Sequence, residues 1–381
     1  MKIAYCTPSI QYSSGMERVV LLKANYFAEE FGYDVYIITT DDRDQKTYFP
    51  LSPKVKWIQL NINFNELFRE PILKRVWIYF WKQRIHKKRL KKVLCEIKPD
   101  VAISLLFREV RIITSIKDGS RKMGEFHFSK KAYPDPEMHE KSPFIKRVLN
   151  NVMRRLLVYH LKKLDRFVVL TQQDSRQWSD TVKRITSIPN PISFFPDQVS
   201  DCRSRKVIAV GRYCRQKGYD ILFEAWKIVS EKHPDWLLQI YGVGDKKSYQ
   251  SLVDSLGITK SCILESVIPN IDEKYRESSI HVLSSRIEGF GMVILEAMAC
   301  GLPVVSFDCE CGPNEIIKNG EDGFIVEFGN IHELSEKIIY LIENEEFRIQ
   351  MGQQARKNVE RFKIEHVAQQ WKNLFESICS L

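Results

Sequence analysis

The chain has 381 residues, 44% hydrophobic and 28% charged, the composition of a globular protein long enough for two domains. No apolar run reaches the roughly 18 residues a membrane-spanning helix needs, and nine cysteines, scattered without disulfide or zinc spacing, favour a reducing cytoplasm. The net charge is +10, but residues 1–190 hold 36 Lys and Arg against 20 Asp and Glu, a net +16, and the remainder is −6; the first half is built for an anionic surface.

The N-terminus, MKIAYCTPSI, is too short and polar for a signal peptide and reads as a first strand, Lys2 to Cys6. A loop to Gly15 leads into a helix from about Met16 to Phe31, with Val19, Val20, Leu22, Tyr26 and Phe27 as its apolar face. Gly32 closes it, and Asp34 to Thr39 is the second strand, a βαβ opening that implies a parallel sheet. Residues 55–60 form a third strand. From Pro71 to Lys98 no breaker interrupts a basic, aromatic stretch, expected to be one long helix. Ile72, Val76, Tyr79, Phe80, Gln83, Lys87 and Leu90 trace one side of it. Two readings fit: a core helix with a solvated basic face, or a helix lying on anionic lipid with Trp77 and Trp81 at the interface. No nucleic-acid-binding motif accompanies the charge, so nucleic acid is not expected as a partner. Val101 to Leu105 and Arg121 to Phe126 are further strands. His127 stands at the carboxyl end of the latter, the edge where parallel sheets bind ligands. Residues 130–143 read as a loop that helps shape an acceptor site. Residues 144–164 form a second basic helix, and Arg166 to Thr171 another strand.

Ser187-Ile-Pro-Asn-Pro-Ile192 cannot continue regular structure and marks a domain boundary, with Phe194 to Ser204 as linker. The second half restarts with a strand, Lys206 to Val210, followed by Gly211, Arg212, Lys217 and a helix over 219–232. Two cations at a strand's exit make an anion site. Trp236 to Tyr241 is a strand ending at Gly242 and Gly244. Cys262 to Glu265 is a strand leading to Val267, Ile268 and Pro269, apolar enough to flank a nucleotide base.

The densest signal is SSRIEGFGMVILEAMACGLPVVSF, residues 284–307. After the strand His281 to Leu283 come Glu288, Gly289, Phe290 and Gly291, then a helix, Met292 to Cys300, with Leu295, Met298 and Ala299 as its stripe, then a buried strand from Val304. A glycine loop feeding a helix N-terminus offers unpaired N–H groups and partial positive charge, which suits a phosphate. Glu288 and Glu296 flank that anion site. A carboxylate facing phosphate would be repelled, so both are read as acceptors for hydroxyl groups. Phosphates between hydroxyl-bearing ends describe a nucleotide sugar.

E-G-F-G-x-x-x-x-E-A-M-A-C-G-x-P-V resembles the E-x7-E signature of the retaining glycosyltransferases of family 4. V-G-R-x-x-x-x-K-G, the G-x-G at 242–244, I-P-N-P and C-G-P-N-E-I-I resemble other segments of the same family, strongly after about residue 185 and loosely before it. The resemblance implies an α/β protein of GT-B fold, two facing Rossmann-like domains with an interdomain cleft: residues 1–188 for the acceptor, with a final helix at about 364–381 packing back there, and 189–363 for the donor. It further implies that Glu288 contacts the donor sugar and Glu296 the ribose diol. Gly289, Phe290, Gly291, Met292 and Val293 would meet sugar and diphosphate through their amides. Arg212 and Lys217 would hold the diphosphate, with Gly211 and Gly242 allowing close approach. Val267 and Ile268 would contact the base, Gly15 would admit a phosphate or sugar, and His127 would sit at the reaction centre.

The expected activity is metal-independent, cofactor-free transfer of a hexose with retention. UDP-sugar is favoured as donor, with GDP-sugar as the other choice. The acceptor is a hydroxyl of a glycan or lipid-linked sugar, in bacterial surface polysaccharide synthesis at the inner face of the cell membrane. The basic helices at 71–98 and 144–164 would contact that membrane. A UDP-sugar isomerase of the same fold and a non-catalytic nucleotide-sugar-binding subunit are the alternatives.

Overall fold

The computed structural model describes residues 1–12, 14–42, 46–69, 71–106, 108–131, 133 and 144–380. The chain divides into two compact units. Unit 1 comprises Met1–His127, Pro143–Pro191 and Ile364–Leu381; unit 2 comprises Phe128–Ser142 and Ile192–Lys363.

Unit 1 alternates strands and helices: β1 (Lys2–Thr7), α1 (Gly15–Glu29), β2 (Asp34–Thr39), β3 (Lys56–Gln59), α2 (Ile72–Ile97), β4 (Val101–Ser104), α3 (Glu109–Ile113), β5 (Arg121–Phe126), α4 (Phe144–Leu161), β6 (Arg166–Val169), α5 (Gln172–Ser179) and β7 (Ile185–Ser187). The seven strands run in the order β3-β2-β1-β4-β5-β6-β7, every neighbouring pair parallel. Helices on both faces bury such strands, which is why IAYC and VAIS read as continuous apolar runs rather than alternating ones.

Unit 2 repeats the plan with β8 (Lys206–Val210), α6 (Tyr219–Lys232), β9 (Leu237–Gly242), α7 (Lys246–Ser255), β10 (Cys262–Ser266), α8 (Ile271–Arg276), β11 (Ile280–Leu283), α9 (Met292–Ala299), β12 (Val304–Phe307), α10 (Pro313–Ile316), β13 (Gly323–Val326), α11 (Ile331–Glu343) and α12 (Glu345–Asn358). Its six strands are ordered β10-β9-β8-β11-β12-β13, again parallel throughout. The last helix, α13 (Ile364–Cys379), belongs to unit 1, where Trp371 and Phe375 join the core beside Phe27 of α1.

Parallel strands all end at one edge of a sheet, and the order reverses once in each sheet: between β1 and β4 in unit 1, and between β8 and β11 in unit 2. Such a reversal leaves a crevice at the carboxyl edge, because the flanking connections depart to opposite faces.

Several faces differ from expectation. On α1 the buried set is Val19, Val20, Leu21, Ala24, Phe27 and Ala28, together with Lys23 and Glu17, while Leu22 and Tyr26 are half-buried. Charged residues inside the helix's buried face hide its true centre from a periodicity reading. The same happens on α2, where the inward stripe is Lys82, His86, Leu90 and Leu94. Val76, Phe80 and Lys87, which the sequence places on one side with Leu90, are exposed, as are Trp77 and Trp81. Lys82 can be buried because its ammonium donates to the carbonyl of Ile62 at 2.8 Å and approaches Glu66 at 3.0 Å. α9 has no exposed face: Ile294 through Ala299 are all buried, Glu296 included. The stretch 194–204 is no free linker. Ser200 donates its amide to the Cys300 carbonyl, and Arg348 donates to the Cys202 carbonyl at 2.8 Å. The expected acceptor-site loop lies, over Ala132 and 134–143, outside the described residues.

Candidate active site

The crevice of unit 2 collects most of the predicted donor residues. β8 ends at Gly211 and Arg212. A Cβ on Gly242, at the end of β9, would fall 1.9 Å from the Gly211 carbonyl oxygen, so the two strand ends approach closely only because that side chain is missing. A short 3-10 turn, Arg215–Lys217, then carries Lys217 back toward β11.

On the other side of the reversal, β11 runs into the loop 284–291. Lys217 Nζ lies 2.7 Å from Glu288 Oε1, and the Ser285 hydroxyl donates to the same oxygen at 2.6 Å. Both charged side chains are largely buried, at 13% and 9% exposed. The loop ends at Gly291, whose φ of 95° lies in the left-handed region that a side chain disfavours. That kink starts α9 directly behind Glu288 with the Met292 and Val293 amides foremost at the crevice, while the Ile294 amide turns back to the Gly291 carbonyl at 2.9 Å. Four residues into α9, Glu296 is buried, with Oε2 3.5 Å from the Tyr275 hydroxyl. Arg212 is exposed and donates to Gln216 at 3.2 Å. Phe290 is buried and Gly289, Met292 and Val293 are half-buried. Val267 and Ile268 follow β10 on the same edge, Val267 exposed and Ile268 half-buried. A cation, a carboxylate and a helix N-terminus meeting at a sheet reversal can hold a phosphate and a hydroxyl side by side.

Gly15 and His127 belong to unit 1. Gly15 is the first residue of α1, after the β1 loop at that sheet's own reversal. His127 follows β5 directly, and its Nε2 is 3.1 Å from Glu125 Oε1. Among the described residues no group of His, Cys, Asp and Glu is arranged to hold a metal ion.

With this geometry in view, the likeness to known proteins is specific. Residues 193–358 match the family described as glycosyl transferases group 1, the stretch that carries the unit 2 site. An uncharacterized glycosyltransferase of Haemophilus influenzae is 28% identical across 98% of this chain and 99% of its own. On these likenesses the chain is a glycosyltransferase, its residues 193–358 matching group 1. The amylovoran biosynthesis glycosyltransferase AmsD of Erwinia amylovora is 30% identical over 58% of this chain and 65% of its own length. TarM of Staphylococcus aureus, solved as a mutant in complex with Fondaparinux, α-GlcNAc-glycerol and UDP, superposes with a TM-score of 0.77. It covers 98% of this chain and 99% of its own at 15% identity, and the likeness carries the GT-B fold.

The structure of this glycosyltransferase adds residues that the sequence reading missed. Gln216 ties the 3-10 turn to the loop 284–291, accepting from the Arg286 amide through its carbonyl at 2.8 Å and donating to the Ile287 carbonyl at 2.9 Å. Arg286 clamps Asp220 at the start of α6 with two bonds of 2.7 Å. Burial would raise the Asp220 carboxyl, but that fork holds it below the ordinary carboxylate value. These bonds lock the Lys217 turn against the Glu288 loop. Ser285 is the one member with a sequence signal: it lies three residues before Glu288, within reach across a tight turn.

Proposed function

We propose that this glycosyltransferase is a retaining, family 4 hexosyltransferase that takes a hexose from a nucleotide-diphosphate sugar, UDP-linked by preference. The acceptor is a hydroxyl of a glycan or lipid-linked acceptor in bacterial surface polysaccharide synthesis. The observation that carries the reading is the 2.7 Å contact of Lys217 with Glu288 in front of the α9 N-terminus. Before the donor binds, Glu288 neutralises Lys217. Donor binding exchanges that partner: the diphosphate takes Lys217 and the α9 amides, and Glu288, still held by Ser285, turns its free capacity to a sugar hydroxyl.

As the acceptor hydroxyl attacks, the bond from the anomeric carbon to the β-phosphate oxygen breaks, its electron pair goes to the nucleotide diphosphate, and the departing phosphate oxygen takes the hydroxyl's proton. Lys217, Arg212 and the amides around Gly291 stabilise that growing charge, the part of the barrier where fixed dipoles and cations contribute most. With two cations in this role, the chemistry runs without a metal. Glu296 holds the ribose diol, Val267 and Ile268 flank the base, and His127 acts at the reaction centre.

The outward faces of two unit 1 helices support work at a membrane. On α4, Val148, Val152, Leu156 and Tyr159 are exposed at helical spacing with Arg155, Lys162 and Lys163. On α2, Trp77, Phe80 and Trp81 share the outward side with Arg84, Lys88 and Lys91. Apolar and aromatic groups rimmed by cations suit the headgroup region of anionic lipid.

Thermal shift of the purified protein against a panel of nucleotide sugars tests the donor. One UDP-hexose should raise Tm well above the others, and no shift with any member overturns the donor reading. Flotation with phosphatidylglycerol vesicles, weakening as salt rises, tests the membrane faces; equal partitioning onto phosphatidylcholine sinks them.

A further inference from the structure

Behind His127 lies a line of buried charge that the donor site does not use. Lys23, in the middle of α1, is 1% exposed, and Glu125, on β5, is fully buried. The ammonium of Lys23 contacts Glu125 Oε1 directly. It also lies 4.4 Å from the ring centroid of Trp371 on α13 and 5.8 Å from that of Tyr5 on β1, a cation boxed by aromatic faces. The same Oε1 is the atom 3.1 Å from His127 Nε2. The approach falls short of an aligned hydrogen bond, and Glu125 Oε2 has no partner among the described residues.

Packing alone does not call for this arrangement. A buried ion pair loses hydration worth several kcal/mol per ion, and an apolar pair of similar volume often stabilises a fold as well or better. Burial would raise the Glu125 carboxyl, yet Lys23 and His127 bring it down to about 2; burial lowers Lys23 while Glu125 opposes that. The close contact fixes the pair as ammonium and carboxylate. Glu125 and His127 are two residues apart at the end of one strand, so they point to one face. A carboxylate beside an imidazole holds the ring in a single tautomer, with its proton on the facing nitrogen.

We propose that Glu125 is a positioning residue for His127: a small turn of the ring gives the carboxylate the Nε2–H, which fixes the ring and leaves Nδ1 unprotonated. Lys23, braced by Trp371, holds the carboxylate in place, so the last helix of the chain acts on the catalytic histidine through two side chains. The inference rests on the reading of His127 given under Proposed function.

The test is the ring ¹⁵N spectrum of histidine-labelled full-length protein, with the His127 signals assigned by their loss in His127→Gln. The wild type should show the Nε2–H tautomer; the Nδ1–H tautomer overturns the proposal before any variant is made. Glu125→Gln, and Lys23→Met with Glu125→Leu, should both move the His127 signals toward a tautomer mixture. They should lower kcat by roughly 10–100-fold and leave the donor KM within about twofold. The double variant leaves no unpaired buried charge, so it carries the experiment if Glu125→Gln does not fold. A folded variant with unmoved His127 signals overturns the proposal. The two readings fail separately: a less than tenfold loss of kcat in His127→Gln sinks the role of His127, while a tautomer shift in the double variant still stands for Glu125.

Discussion

The two units share one plan, a parallel sheet whose order reverses once, yet the reversals are furnished oppositely. In unit 2 the edge offers Lys217, Arg212 and the start of α9. In unit 1 it offers carboxylates. Glu17 opens α1; Asp41 is bound by Arg108 at 3.0 Å and by the Phe64 amide at 2.7 Å; Asp42 takes the Ser9 hydroxyl and the Ile10 amide; Glu109 starts α3. Burial pushes the Glu17 and Glu109 carboxyls up to about 7, and both oxygens of Glu109 are without partner among the described residues. The unit 2 edge presents cations and amide dipoles suited to an anion, while the unit 1 edge presents carboxyl groups suited to hydrogen bonding with hydroxyls. The surplus of Lys and Arg in the first half does not contradict this, because on α2 and α4 many of those cations stand outward. Net charge of a domain and charge of its binding edge are different quantities.

The hardest strike at this contrast is on the cations. Lys217→Ala should lower kcat at saturating donor by about 10²–10³-fold, with Arg212→Ala in the same range; losses of tenfold or less in both would mean the unit 2 edge does not carry leaving-group charge. Next is Glu296→Ala, expected to weaken UDP binding by about 1–3 kcal/mol in calorimetry, while an unchanged Kd would remove the ribose contact.

The smallest effect sharpens the acidic side. The folded Glu109 carboxyl holds its proton up to about pH 7, whereas its ordinary value is 4.5. Between those values the unfolded chain releases a proton the folded one keeps, so stability falls as pH rises through that window. Glu109→Gln should therefore raise Tm by roughly 3–6 °C at pH 8 and change it little at pH 4. Equal shifts at both would mean Glu109 is not buried and unpaired.

The unit 2 edge was legible because its parts are local: Glu288, Gly291 and Glu296 fall within nine residues, and Arg212 and Lys217 within six. A βα alternation with glycine stops likewise gives a parallel sheet away without knowledge of distant contacts. Unread were the features joined across the chain. Lys23 and Glu125 are 102 residues apart, and nothing near either one announces a buried partner. The face of α2 stayed open for a related reason: spacing locates a stripe, but Trp77 and Phe80 look alike whether they meet a core or a lipid surface. The short helix α7 carries only Tyr249, Leu252 and Val253 at helical spacing, and α8, six residues long, is too short for a period to stand out.

Because α13 completes the core of unit 1 from the far end of the chain, gene order and physical module part company. A fragment cut after residue 190 would lack Val367, Trp371 and Phe375 and leave α1 with bare apolar ground. Anyone wishing to produce unit 1 alone must graft the closing segment onto it.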